Sequence, residues 1–407
     1  MGEKHMENHQ KPTLIHNITV YAEDKVIKNG FIKIVDGKIV DYGKKGEISS
    51  FDDYRVLSTT EGSIIIPGFI DLHIHGANGS DTMDGTMDAI ENIALTLPRE
   101  GTTSFLATTI TQSTTNIEKS LMNVGKFISA QAYSRQPQAE VIGVHLEGPF
   151  IHHQMAGAQP KRYIQIPKYH LFNKWQDLAN STIKQVTLAP EIEGGIELIR
   201  NLRSKGVIPS IGHSKATYEE VMEAINAGTT QVTHLFNQMS SLHHREPGVV
   251  GAALLHNQLF AEIIVDGVHV SKEIIQLAYQ IKTSKRLILI TDSIRAKYLK
   301  EGYYDLGGQS VTVKNGLAEL ENGTLAGSIL KMIDAVNNMI SFTGCSIEEV
   351  IEMTAKNPAQ QLDIYDRKGS IAIGKDADLV ILNNKNDLIY TICKGQIAYK
   401  NPSYTND

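Results

Sequence analysis

The chain has 407 residues, 41% hydrophobic and 21% charged, with a formal net charge of −6. That balance supports a buried core of normal size and excludes an intrinsically disordered chain. The acidic balance without a long basic run argues against a nucleic-acid surface, and no apolar run reaches the length of a membrane span.

Residues 1–12 are polar, lack the apolar stretch of a secretory signal, and are set aside from the fold. Residues 13–21 read as a strand. Residues 31–35 and 38–42 flank Asp36-Gly37, a two-residue hairpin signal. From 68 onward the pattern alternates apolar runs with helical stretches, the signature of βα units. The apolar runs are 69–75, 103–110, 141–147, 185–190, 207–213, 231–236, 260–266 and 286–292. Eight such units predict a TIM barrel. Between them, 192–205 reads as a helix stopped by Gly206. Thr217-Tyr-Glu-Glu220 is a capping box for a helix ending at Ala227 before Gly228.

Residues 309–325 carry two Asn-Gly turns and read as a β-hairpin inserted after the last barrel strand. Ser346-Ile-Glu-Glu349 caps a late helix that should end before Pro358. The tail returns to short strands at 378–382, 389–393 and 396–399, the last two separated by Lys394-Gly395. Both ends thus predict one small β-sandwich domain, built from 1–67 and 368–407, beside a barrel domain at 68–367. The fold class is α/β. Cys345 and Cys393 form no CxxC pair and read as free thiols, which points to a reducing cytoplasm.

Parallel barrel strands are buried and should be nearly all apolar. Several of these runs end instead in a side chain able to bind metal: His73 and His75, Glu147, His213, His234, and Asp292. The carboxyl ends of barrel strands are where TIM-barrel active sites lie. A lone strand-end His is more often an ordinary hydrogen-bonded residue. His73 and His75, two apart, share a strand face and can meet one ion. Six such residues at strand ends predict a metal centre. Imidazole with carboxylate suits Zn, Fe, Mn or Co rather than Ca or Mg. Asp71 and His145, each two residues from a candidate ligand, could support the site or serve the fold. His5, His9, His16, His152, His153, His170 and His256 lack such context.

Longer motifs carry a resemblance: Pro67-Gly-Phe-Ile-Asp-Leu-His-Ile-His-Gly76, His145-Leu-Glu-Gly-Pro-Phe150, Gly157-Ala-Gln-Pro160 and Ile211-Gly-His-Ser214. They continue with Thr233-His-Leu-Phe-Asn237, His244-Arg-Glu-Pro-Gly248, Val265-Asp-Gly-Val-His269, Leu289-Ile-Thr-Asp292, Leu325-Ala-Gly-Ser328 and Gly374-Lys-Asp-Ala-Asp-Leu-Val380. In this order, over almost the whole chain, they resemble the N-acetylglucosamine-6-phosphate deacetylase family of the amidohydrolase superfamily. That family hydrolyses the acetamide of N-acetylglucosamine 6-phosphate to glucosamine 6-phosphate and acetate. The resemblance implies that Glu147, His213 and His234 bind one divalent transition metal. It implies that His73 and His75 bind a second, with Glu147 between the two. It makes Asp292 the general base and acid beside a metal-activated hydroxide, and places Gln159, Asn237, Gln238, Arg245 and His269 in the sugar-phosphate pocket.

Asp266 has no role in that scheme. The family's usual small residue is replaced by Gln238, and its usual Ala after the catalytic Asp by Ser293. Glu147 in the bridging role argues against the branch that uses a carbamylated lysine. The family is commonly dimeric, and Arg245 either folds into its own pocket or serves a neighbouring subunit. An amidohydrolase acting on another N-acyl or cyclic amide is the alternative. A non-catalytic scaffold and a sugar-phosphate sensor are further readings.

Overall fold

The computed structural model describes residues 11–48, 50–134 and 136–404. Residues 1–10, which include His5 and His9, lie outside the described residues, as do 49, 135 and 405–407.

Asp36-Gly37 joins Val26–Val35 to Lys38–Lys44, with φ of 47° and 76° at the two turn residues. Two positive φ values give the turn whose twist matches the flanking strands. Lys394-Gly395, at 45° and 76°, does the same between Leu388–Cys393 and Gln396–Lys400. Both hairpins belong to one eight-stranded sheet that also takes in Thr13–Tyr21, Ile64–Pro67 and Leu379–Leu382. The two turns meet on one segment, since Ala377 N donates to Gly37 O (2.8 Å) and Gly395 N to Ala377 O (2.9 Å). The sheet therefore curls over its own core, where Ile15, Ile34, Ile65, Ile381 and Ile392 pack together. The small β domain from both chain ends is as anticipated, made by a single sheet doubling back.

The middle of the chain forms eight parallel strands among the described residues. They are β1 (Phe69–Ile74), β2 (Thr102–Thr109), β3 (Glu140–Glu147), β4 (Ile183–Leu188), β5 (Ile208–Ile211), β6 (Gln231–Val232), β7 (Phe260–Ile264) and β8 (Leu287–Ile290), hydrogen-bonded in that order. The ring closes at its carboxyl end. Asp292 N donates to His73 O (2.8 Å), and His75 N and Gly76 N donate to Ser293 O (2.9 and 3.0 Å). Every anticipated strand is present, yet β5, β6 and β8 stop before their polar ends. His213, His234 and Asp292 have φ of 48°, 33° and 48°, outside extended geometry, so the ladder cannot continue through them. Thr217 caps Tyr218–Ala227 with its capping box, and Gly228 ends it at φ 119°.

One expectation is extended and one needs correction. The hairpin expected at 309–325 is present, Gln309–Lys314 turning at Asn315-Gly316 into Leu317–Leu320, but it is widened by a third antiparallel strand, Gly302–Leu306. Gly307-Gly308 makes its first turn (φ 58° and 81°), a signal weaker in sequence than Asn315-Gly316. The helix capped by Ser346 does not end before Pro358: it widens into a π turn at Glu352–Lys356 and continues as Asn357–Gln361. The wide turn accommodates a residue with no N–H, which a regular α turn would not.

Candidate active site

At the carboxyl ends of the strands, four imidazoles converge on Glu147. His73, His75, His213 and His234 bring Nε2 to within 3.4, 3.3, 3.2 and 3.3 Å of its carboxylate oxygens. Asp292 Oδ1 lies 3.3 Å from His73 Nε2 and 3.2 Å from His75 Nε2. Two groups of three could each hold a metal ion: His73, His75 and Asp292, and Glu147, His213 and His234. The Nε2 atoms of His213 and His234 face each other at 3.1 Å, close enough for one cation to take both. Burial alone would disfavour charge on His73 and His75, but Asp292 and Glu147 overcome it. His73 is raised well above its ordinary range and His75 to about 9. Burial works against the Glu147 anion too, and the surrounding histidines, His73 foremost, hold its carboxyl well below the usual range. The cavity centre thus favours positive charge, and these donors fit a divalent transition metal.

The supporting groups explain the aim of these rings. His213 Nδ1–H donates to Met155 O (2.8 Å), turning Nε2 inward. His73 Nδ1 meets Glu262 Oε2 at 3.2 Å. The sequence reading missed Glu262, though a carboxylate inside the buried run Phe260–Ile264 was a usable signal. Asp71 serves the fold rather than the His73 ring. Its carboxylate accepts Thr291 Oγ1 (2.5 Å) and His73 N (3.2 Å), stapling β1 to the end of β8. His145 packs edge-on against His73, ring centres 4.5 Å apart, and burial keeps it well below its ordinary range, hence neutral. Ser328 braces Asp292: its N donates to Asp292 O (2.8 Å) and its Oγ to Thr291 O (2.5 Å). Gly327 allows that approach, because a Cβ there would stand 2.9 Å from Asp292 O.

A cavity of about 70 Å³ opens over the site, lined by His75, Glu147, Gln159, His213, His234, Asn237, Gln238, His269 and Asp292. It adjoins a larger cleft of about 650 Å³, and the two share His269, Leu325 and Gly327. Gln159 Nε2 donates to Glu147 Oε2 (2.7 Å) and its Oε1 accepts Thr111 N (2.7 Å). Asp266, without a role in the sequence reading, acquires one here. Its Oδ2 takes Nδ1–H of His269 at 2.6 Å, and although burial opposes it, that carboxylate raises the imidazole. The side chain of Gln238 lies over Gly157, 2.8 Å from where a Cβ would be. Ser293 Oγ donates to Gly76 O (3.1 Å), adding a bond across the barrel seam. Arg245 is the exception among the candidate residues. It is exposed, outside the cavity, with Nη1 against His244 Nε2 at 2.6 Å.

The amidohydrolase family model matches residues 64–398. The N-acetylglucosamine-6-phosphate deacetylase of Bacillus subtilis (strain 168) is 47% identical over 386 residues, covering 95% of this chain and 97% of that protein. The crystal structure of the Thermotoga maritima N-acetylglucosamine-6-phosphate deacetylase superposes with a TM-score of 0.85 at 35% identity, over 95% of this chain and 100% of that one. A variant of the Mycobacterium smegmatis enzyme, in complex with N-acetyl-D-glucosamine-6-phosphate, gives 0.88 at 27% identity, over 96% and 100%.

Proposed function

The chain belongs to the amidohydrolase family, and on that premise we propose that it hydrolyses the acetamide of N-acetylglucosamine 6-phosphate to glucosamine 6-phosphate and acetate. One observation carries the reading: four imidazoles and Asp292 gather around the buried Glu147 at the floor of a cavity walled by amide and imidazole groups. Glu147, His213 and His234 would hold one divalent ion, and His73, His75 and Asp292 a second, with Zn or Fe best suited to the donors. Ions held there acidify water towards a pKa of about 7 and polarise the amide carbonyl.

The remaining chemistry falls to the chain's own residues. Asp292, with 8% exposure, borders the cavity and can take a proton from the attacking water and return it to the departing nitrogen. An amine leaves poorly without that proton, and a positioned acid–base group typically contributes ~10²–10⁴-fold. His269, fixed by Asp266, keeps its Nε2–H for the sugar. The hexosamine ring is too large for the inner cavity and extends into the adjoining cleft. Asn237 and the backbone at Gln238 receive the phosphate. The exposure of Arg245 supports action across a C2 homodimer, in which an isologous contact would place the partner's Arg245 at each site.

We divide the chain into a barrel at 68–367 and a β domain from 1–67 and 368–407. Among the described residues no helix is long and apolar enough to cross a membrane. The two buried free cysteines suit the cytoplasm.

Acetate release tests the reading. kcat/KM for N-acetylglucosamine 6-phosphate should exceed that for the unphosphorylated sugar by at least ~10²-fold, the worth of two charge-assisted bonds. Equal values would overturn the phosphate assignment. Mixed dimers of Asp292→Asn and Arg245→Ala chains test the sharing. At substrate well below KM, mixed dimers should exceed the mean rate of their two parents if Arg245 works across the interface, and match that mean if it serves its own pocket.

A further inference from the structure

Three barrel strands carry a glutamine or an interior glutamate where apolar residues are the rule. Gln185 on β4, Gln231 on β6 and Glu262 on β7 are all fully buried. They form one connected layer beneath the metal-binding groups. Glu262 Oε1 accepts Gln185 Nε2 (2.6 Å) and Gln231 Nε2 (2.7 Å). Gln231 Oε1 accepts Gln361 Nε2 (2.9 Å), and Gln185 Oε1 accepts Gln231 Nε2 (2.8 Å). Each amide oxygen is thus engaged, and both NH₂ groups are committed to Glu262. The other carboxylate oxygen meets His73 Nδ1 at 3.2 Å and accepts His234 N at a longer 3.4 Å. Among the described residues Glu262 pairs with no lysine or arginine, so His73 is the only ionisable partner of this buried carboxylate. Desolvating a carboxylate so completely is costly unless a specific partner compensates.

The four imidazoles of the site are not equally supported. His213 leans on a backbone carbonyl, and Nδ1 of His75 and of His234 are buried without a partner among the described residues. His73 alone is backed by a carboxylate. A carboxylate behind a metal-binding imidazole fixes its tautomer and increases its strength as a ligand.

We propose that Glu262 is the positioning residue for the His73 half of the site. It takes Nδ1–H of His73, directs the bare Nε2 towards Asp292 and Glu147, and so secures the ion held by His73, His75 and Asp292. The proposal rests on the two-ion reading given above. Glu262 touches neither substrate nor ion; of the metal-facing rings it meets that of His73 alone, its contact with His234 being a long one to the backbone N.

Glu262→Gln is the test, because it keeps size and shape. Its single oxygen cannot serve both the paired glutamine amides and His73. Metal-free protein is titrated with Zn against a competing chelator, and bound ions per chain are counted. Wild type should take two. The variant should keep the first ion at wild-type affinity and bind the second ~10–100-fold more weakly. A variant that binds both ions as wild type does overturns the inference, and so does equal weakening of both, which would mark a general loosening of the barrel. Wild type that stops at one ion refutes the two-ion reading instead, and the proposed role with it. Should the variant not fold, nitrogen-15 NMR of Zn-loaded wild type decides, with His73 identified by its loss in His73→Asn. A proton on Nδ1 supports the inference, and a proton on Nε2 overturns it.

Discussion

Lys368 is 2% exposed and stands among three carboxylates at the junction of barrel and terminal sheet. Its Nζ lies 2.8 Å from Glu140 Oε2 at the start of β3 and 3.2 Å from Asp376 Oδ2, and it also bonds Asp378. Burial alone would raise the Glu140 carboxyl, but Lys368, Arg367 and Lys394 overcome it and hold it at about 2. Lys368→Met removes the one buried cation and leaves these carboxylates to Arg367, Lys38 and Lys394, each a third or more exposed. Breaking a buried pair on one side costs ~3–5 kcal/mol. An unfolding entropy of about 2.1 cal/mol/K per residue gives roughly 0.85 kcal/mol/K for 407 residues, so Tm should fall by about 4–6 °C for one cooperative transition.

Acidification sets the sign of the second half of the test. A carboxyl depressed to about 2 contributes stability that is present above its ordinary 4.5 and lost as pH falls towards 2. In the variant Glu140 and Asp376 lose their buried lysine, titrate higher and become neutral sooner. The gap in Tm should therefore be widest at neutral pH and narrow below about pH 4.5. Calorimetry at two pH values measures it. A gap under about 1 °C at pH 7, or one that widens in acid, would refute the reasoning.

Asp292→Asn should lower kcat by ~10²-fold or more while Zn at Glu147, His213 and His234 is retained, checked by steady-state kinetics with metal analysis. Arg245→Ala should raise KM for the phosphorylated sugar ~10-fold or more and leave that for the plain sugar unchanged, since only a dianion gains its charge-assisted bonds. Ser293→Ala gives up one neutral hydrogen bond across the barrel seam, about 1 kcal/mol of stability by denaturant unfolding, with turnover kept within about twofold.

The candidate metal ligands were legible because strand ends in a buried parallel sheet are conspicuous when polar. His73, His75, Glu147, His213, His234 and Asp292 meet as their positions implied. Glu262, Gln185 and Gln231 obey the same logic but lie within their strands, where attention to strand ends passes over them. Asp266 was readable only through its contact, since an i, i+3 pair in a loop announces no geometry. The direction of Arg245 could not be read, because a loop beyond the barrel rim has no periodicity to fix a side chain. Turn chemistry placed the terminal hairpins through Asp36-Gly37 and Lys394-Gly395. The helix across Pro358 defied the usual stop signal because its π turn is a tertiary accommodation, invisible in local pattern.

Ions held around Glu147 would make this chain an amide hydrolase of a phosphorylated amino sugar. The most direct test follows acetate and free amine together from N-acetylglucosamine 6-phosphate, using protein stripped of metal and reloaded stepwise with Zn. No release is expected without metal, and the rate should rise with bound Zn while acetate and amine appear in equal amounts. Undiminished release from metal-free protein, or none at full metal loading, would contradict it.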